Sequence, residues 1–226
     1  MPNFNREIKG AIFDIDGTLL DSLSMFLECL NRELEGQGIS PVSRQFLYER
    51  LGKGISLRGI LGDIVDGTEN AILVEEMAQN IVKSFWEEDF HIPLFPGVKD
   101  VFSFLCEKGV KIGLATSRDS GAAYEWDRFQ HNGLAKYIQS IFTSREVKNR
   151  KPHPEVIIRC GKEMGIELKN CMSIGDTVSD ILAGKRAGTY TVGVCSGVDT
   201  YERLQMEEPD AIIVRVRDLI HLPVYS

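Results

Sequence analysis

The sequence predicts an α/β protein: a doubly wound parallel sheet, with an all-helical segment inserted near its start. Three observations carry this. Residues 98–214 alternate runs of helical period with short apolar runs at 110–116, 138–143, 171–174, 190–195 and 211–214. Strands alternating with helices give a parallel sheet covered on both faces. Residues 8–13 add a further strand, short, apolar and partly β-branched. Between these blocks, residues 21–90 show helical spacing and no convincing strand. The expected organisation is a core of residues 1–20 and 91–226 and a helical domain of residues 21–90.

Within the helical segment, Leu23, Phe26, Leu27, Leu30 and Leu34 recur at helical spacing until Gly36 and Gly38. Ser40-Pro41 is read as the start of a second helix, with Pro at the first helical position and Phe46, Leu47 and Leu51 on its apolar side. Ile60, Leu61, Ile64 and Val65 suggest a third, short helix. Thr68 is the expected cap of a fourth that runs to about Glu88. A Pro/Gly linker at 91–97 then leads into the βα rhythm. Helices are expected at 98–108, 119–131, 154–164 and 178–187, each followed by Gly within a residue or two.

The first strand runs into Asp14-Ile15-Asp16-Gly17-Thr18. Carboxylates at i and i+2 leave a strand on the same side of the pleat, a few ångströms apart. Two anions that close need a cation between them, or one must keep a proton. An acidic turn is the plain account. A calcium loop fails on spacing, because Leu19 and Met25 stand where its Gly and terminal acid belong. A phosphoryl-transfer centre is the third account. There one Asp is the nucleophile and the other the acid and base, and a hard cation such as Mg²⁺ sits in the oxygen-rich corner. It requires a hydroxyl at a strand end, a lone cation and a further acid.

Ligands of doubly wound sheets bind beyond the carboxyl ends of the strands. There the sequence places Thr116-Ser117, then Gly175-Asp176-Thr177 with Asp180 following, and between them the basic loop containing Lys151. Singly, each has an ordinary explanation as a turn, a helix cap or a solvated charge. Jointly they supply all three required parts.

Composition sets bounds on function. The net charge is −7 over 226 residues, which disfavours nucleic acid or a membrane surface as partner. It leaves room for a small anionic substrate. No apolar run reaches membrane-spanning length, and no signal peptide is evident at the N-terminus. The five cysteines form no CxxC pair and no disulfide framework, so reduced thiols in a cytoplasmic protein are expected.

With these motifs in place, the chain resembles the haloacid dehalogenase superfamily of phosphatases and phosphotransferases, whose core is Rossmann-like. The resemblance rests on Asp14-Ile15-Asp16-Gly17-Thr18, Thr116, Lys151 in Lys-Pro-His-Pro, and Gly175-Asp176-Thr177-Val178-Ser179-Asp180. It spans residues 8–221. The helical segment is similar to the cap of the subfamily that includes phosphoglycolate phosphatases.

The resemblance implies a Mg²⁺-dependent phosphohydrolase acting on a small phosphorylated metabolite through an aspartyl-phosphate. Asp14 would attack phosphorus. Asp16 would protonate the leaving oxygen and then activate water. The Asp14 carboxylate, the Asp16 carbonyl and Asp176 would bind Mg²⁺. Thr116, Ser117 and Lys151 would hold the phosphoryl oxygens. Asp180 would support the metal waters or Lys151. Lys53 and Arg58 are candidates to meet an anionic part of the substrate, with solvated surface cations as the alternative.

Other functions share parts of this motif set. A phosphomutase of the β-phosphoglucomutase type shares a segment like Lys53-Gly54-Ile55-Ser56. Its fourth motif usually has Glu-Asp in place of Gly175-Asp176 and lacks the acid at Asp180. A non-catalytic phosphoacceptor or binding module would lack the helical insertion. Gly193-Val194-Cys195-Ser196-Gly197 imitates a nucleophile elbow. It follows a late strand without a placed His and Asp, and reads better as a strand-to-loop turn.

Overall fold

The structure, a computed structural model, describes residues 7–53, 55–65 and 70–225. The chain divides into two compact units, Met1–Leu20 with Leu94–Ser226, and Asp21–Pro93.

The first unit is a six-stranded, all-parallel sheet. Its strands are β1 (Gly10–Phe13), β2 (Lys111–Ala115), β3 (Ile138–Phe142), β4 (Cys171–Gly175), β5 (Tyr190–Val194) and β6 (Ala211–Ile213), in the order β3-β2-β1-β4-β5-β6. All six expected strands are present. β1, β4 and β5 are buried at every residue, as strands covered on both faces must be. Alternation along β1 shows the two faces. Phe13 stacks on Phe102 of helix α5 (Val98–Glu107), with ring centroids 5.3 Å apart. Its neighbour Ile12 points the other way, into a core with Val156, Ile157 and Cys160 of helix α7 (Glu155–Met164). Helix α6 (Ala122–His131) packs on β3, and α8 (Val178–Ala187) packs on β4 and β5.

Register sets the height of the strand ends. Phe13 pairs with Leu114 on one side and Ile174 on the other. Residues just past β1, β2 and β4 therefore share one rim. Helix α8 is fixed there by a capping box: Thr177 Oγ1 accepts from the Asp180 N–H, and the Asp180 carboxylate accepts from the Thr177 N–H.

Among the described residues the second unit holds four α-helices: α1 (Ser22–Gly36), α2 (Arg44–Gly52), α3 (Leu57–Val65) and α4 (Ala71–Glu88). Cys29, Leu30, Leu34, Leu47, Ile60 and Ile81 belong to a core of its own. Truncating one of these leucines to Ala would cost about 2–5 kcal/mol. Asp21 caps α1, its side chain accepting from the Ser24 N–H at 3.3 Å.

Two expectations need revision. The second helix does not open at Ser40-Pro41. It begins at Arg44, because Ser43 supplies the cap, its Oγ accepting from the Phe46 N–H at 3.1 Å. The helix expected from residue 119 starts at Ala122, after Gly121. Thr68, the expected cap of α4, lies outside the described residues. A short helix, α9 (Tyr201–Met206), was not anticipated. No described helix is long and apolar enough to cross a membrane.

Candidate active site

Asp14 follows β1 directly, and its N–H donates to the Ile174 carbonyl at 2.8 Å. This extends the β1–β4 ladder by one residue and points the side chain off the rim. The Lys151 ammonium comes from the loop ahead of α7. Its Nζ donates to Asp14 Oδ1 at 2.7 Å and to Asp180 Oδ1 at 2.6 Å. The lysine side chain is only 3% exposed. Of the basic run that the sequence showed, this one residue is drawn inside, whereas Lys148 and Arg150 stay exposed.

Asp176 leaves β4 beside them. Its Oδ1 accepts from Thr18 Oγ1 at 3.1 Å and its Oδ2 from the Val198 N–H at 2.9 Å. Two glycines make room for this carboxylate. At Gly17 (φ +72°) and Gly197, a Cβ would fall inside the van der Waals envelope of Asp176 Oδ2. The loop after β5 thus closes on Asp176, and Ser196 Oγ donates to the Gly17 carbonyl at 2.7 Å. The Gly193–Gly197 stretch is a strand-to-loop turn that packs on an acid.

One carboxylate oxygen each from Asp14, Asp176 and Asp180 lies within 4.8 Å of the others. The electrostatics ask for a cation. Burial, together with the charges of Asp180 and Asp16, pushes the Asp14 carboxyl up to about 7 despite the pull of Lys151. Burial, together with the charges of Asp180 and Asp14, raises Asp176 well above its ordinary value. Burial works against the Lys151 charge, but Asp14 and Asp180 outweigh it and hold its pKa above the ordinary value. Three carboxylates against one ammonium leave two negative charges in excess when all are ionised. The donors are all oxygen, which suits a hard divalent ion.

The donors are not equivalent. Asp180 is spoken for: Lys151 takes Oδ1, while Thr177 N–H and Oγ1 donate to Oδ2 at 3.1 and 2.5 Å. Asp14 Oδ2 has no hydrogen-bond partner among the described residues, and the side chain keeps 11% exposure. The open oxygen of the cluster is therefore on Asp14.

Thr116 sits past the end of β2 on the same rim, 2% exposed, its Oγ1 accepting from the Arg118 N–H at 3.2 Å. Ser117 beside it is exposed. Asp16 is held by a group the sequence did not single out. Arg118 Nε and Nη2 donate to its two oxygens, each at 2.7 Å. Behind Arg118 lie Glu125 and Arg128, both fully buried.

Residues 11–194 match the family model for haloacid dehalogenase-like hydrolases. The chain belongs to that family. A phosphoglycolate phosphatase of Shigella boydii is 26% identical over 236 residues, covering 95% of this chain and 92% of the relative. The crystal structure of a predicted phosphoglycolate phosphatase from Haemophilus somnus superposes with a TM-score of 0.77, at 19% identity over 95% of this chain and 97% of that one. A β-phosphoglucomutase structure from Clostridium difficile gives 0.66, at 22% identity over 94% and 93%. At such identity the two structures speak for the fold alone.

Lys53 and Arg58 of this hydrolase belong to the helical unit. Lys53 is exposed. Arg58 is engaged within that unit, its Nε and Nη2 donating to Glu75 at 2.6 and 2.9 Å and tying α3 to α4. Sequence reasoning missed Arg118, Glu125, Gly197 and Val198. For Arg118 a signal existed: it stands two residues past the strand-end Thr116, in the loop where ligand-binding groups collect.

Proposed function

We propose that this hydrolase is a Mg²⁺-dependent phosphatase of small-molecule phosphate monoesters, acting through an aspartyl-phosphate on Asp14. The observation that carries it is the bridging of Asp14 and Asp180 by the buried Lys151 ammonium, at 2.7 and 2.6 Å. This bridge leaves Asp14 Oδ2 open on the rim. The naming of curated relatives as phosphoglycolate phosphatases supports the substrate class.

In this reading Asp14 Oδ2 attacks phosphorus, and Lys151 with Thr116 and Ser117 receives the phosphoryl oxygens. A carboxylate nucleophile and a phosphate repel each other, so fixed positive charge is where such a site gains most. Asp16 gives a proton to the departing oxygen, then takes one from the water that cleaves the aspartyl-phosphate. Asp180 holds Lys151 in place. Mg²⁺, bound by Asp14, Asp176 and the Asp16 carbonyl, would neutralise the excess negative charge and polarise the phosphoryl group. Reading the rest of the ester is assigned to the helical unit acting as a cap, with Lys53 the remaining cationic candidate. The free cysteines fit a reducing compartment such as the cytoplasm.

The test is phosphate release from a panel of small esters that includes phosphoglycolate, with Mg²⁺ and then with chelator. Release that the chelator abolishes is expected. If no ester yields phosphate while β-glucose 1-phosphate is converted to the 6-phosphate, the phosphomutase reading replaces this one.

A further inference from the structure

We propose that Arg118 is the positioning residue for Asp16, held in aim by a buried charge relay through Glu125 and Arg128. This rests on the phosphatase reading, in which Asp16 moves protons.

The geometry is that of a clamp. The Arg118 guanidinium meets Asp16 with two parallel bonds of 2.7 Å. Such fork-to-fork pairs fix the plane of a carboxylate as well as its distance. Asp16 needs that restraint, since its side chain is 37% exposed and would otherwise sample several rotamers. Arg118 is only 5% exposed and is anchored on every side. Its N–H donates to Thr116 Oγ1 at 3.2 Å, and its carbonyl accepts from the Ser144 N–H and Oγ, each at 2.9 Å. Its Nη1 lies 3.5 Å from Glu125 Oε1. Glu125 in turn accepts from Ser120 Oγ at 2.5 Å and from Arg128 Nε at 2.8 Å.

Stability does not account for this arrangement. Buried ion pairs cost about as much in desolvation as they return, and apolar side chains of similar volume would serve as well or better. What an apolar filling would not do is hold a guanidinium at the rim facing Asp16. The relay starts at Arg128, fully buried, and ends at Asp16, the member most open to solvent. Proton transfer is sensitive to donor placement: misplacement by an ångström costs on the order of 100-fold.

Asp14 Oδ2 forms a bond to phosphorus, the phosphorus–oxygen ester bond breaks, and its electron pair stays on the leaving oxygen. That oxygen takes the proton that Asp16 carries on one of the lone pairs left open by the two Arg118 bonds. An alkoxide needs this proton to depart. A p-nitrophenolate does not. Loss of Asp16 placement must therefore show in kcat/KM for an alkyl phosphate and hardly at all for p-nitrophenyl phosphate.

The experiment measures kcat/KM on both esters with Mg²⁺ for the full chain, Arg118→Lys, Arg118→Gln, Asp16→Asn and the Arg118→Gln/Asp16→Asn double variant. Expected for both Arg118 variants is a fall of roughly 10–100-fold on the alkyl ester, carried by kcat with KM nearly unchanged. The fall on the aryl ester should be less than about 3-fold, and Arg118→Gln should add no further loss once Asp16 is Asn. Lys keeps the buried positive charge beside Glu125, so it reports the ratio even if the Gln variant fails to fold. Equal losses on the two esters, no loss on either, or full additivity with Asp16→Asn would overturn the assignment while leaving the phosphatase reading intact. A wild-type chain inert on both esters and on the wider panel would overturn that reading, and this inference with it.

Discussion

The Lys151 ammonium donates to Asp180 Oδ1 at 2.6 Å across 29 residues of sequence. The same carboxylate closes the capping box of α8 through its other oxygen. A helix cap and a buried ammonium are thus aligned by one side chain. Asp180→Asn is expected to lower kcat/KM by about 10–100-fold, as loss of an orienting partner typically does. The Mg²⁺ concentration for half-activation should barely move. A large shift in that midpoint would instead place Asp180 at the metal.

Asp14→Asn should abolish turnover and leave no acid-stable phosphorylated enzyme, with the far-ultraviolet spectrum unchanged. Residual activity near the wild-type level would remove Asp14 as nucleophile.

The same variant isolates a pH effect. The folded Asp14 carboxyl is raised from 3.8 to about 7 by burial, with the neighbouring Asp180 and Asp16 charges adding to it. A raised carboxyl contributes stability in full below about pH 4, and that contribution is lost as pH rises through about 7. Lys151 is shifted upward from 10.5 and stays charged throughout this window. With chelator present, the wild-type melting temperature minus that of Asp14→Asn should therefore fall between pH 4 and 8, by a few degrees. Mg²⁺ should reduce the fall. A difference that grew with pH would mean that Lys151 governs Asp14 more strongly than burial does.

Gly197→Ala places a methyl group where Asp176 Oδ2 now lies. The loop after β5 or the carboxylate must shift, at a cost of about 1–3 kcal/mol. Because Val198 N–H and Thr18 Oγ1 set the angle of that carboxylate, Mg²⁺ titration of activity should show a weaker midpoint along with the lowered melting temperature. Wild-type Mg²⁺ dependence would contradict the role given to this loop.

Glu125→Ala removes the acid between Arg118 and Arg128 and leaves two buried cations beside each other. Breaking such a pair costs about 3–5 kcal/mol. Denaturant unfolding should place this substitution among the most damaging single changes in the chain. A loss below about 1 kcal/mol would show that water or a rearranged side chain takes the place of Glu125.

The strands were legible because each is an apolar run bounded by turn residues, and a parallel sheet buries such runs on both faces. The carboxylates at their ends were legible for the same reason, since strand ends say where to look. What stayed hidden depends on partners far along the chain. Arg118 looks like any loop arginine until Glu125 is folded back against it. Glu125 and Arg128, three apart on a helix, have the spacing of a solvated surface pair, yet both are fully buried. Gly197 gives no hint of Asp176, whose approach alone explains the missing side chain. Arg58 offered itself as a substrate contact because Glu75 lies seventeen residues away, on another helix.

The sheet order has a consequence for synthesis on the ribosome. β1 is made early, yet its neighbours are β2, about one hundred residues later, and β4, about one hundred and sixty. At roughly 5–20 residues per second, the strand bearing Asp14 waits on the order of ten seconds or more for its second flank. Asp21–Pro93, being contiguous with a core of its own, can fold during that interval. The nascent chain therefore carries, N-terminal to a finished helical unit, a wholly apolar strand with one edge open until β4 emerges, and open strand edges are where chains associate wrongly. Ribosome-bound chains stalled before residue 171 should recruit holding chaperones, and release should coincide with emergence of β4.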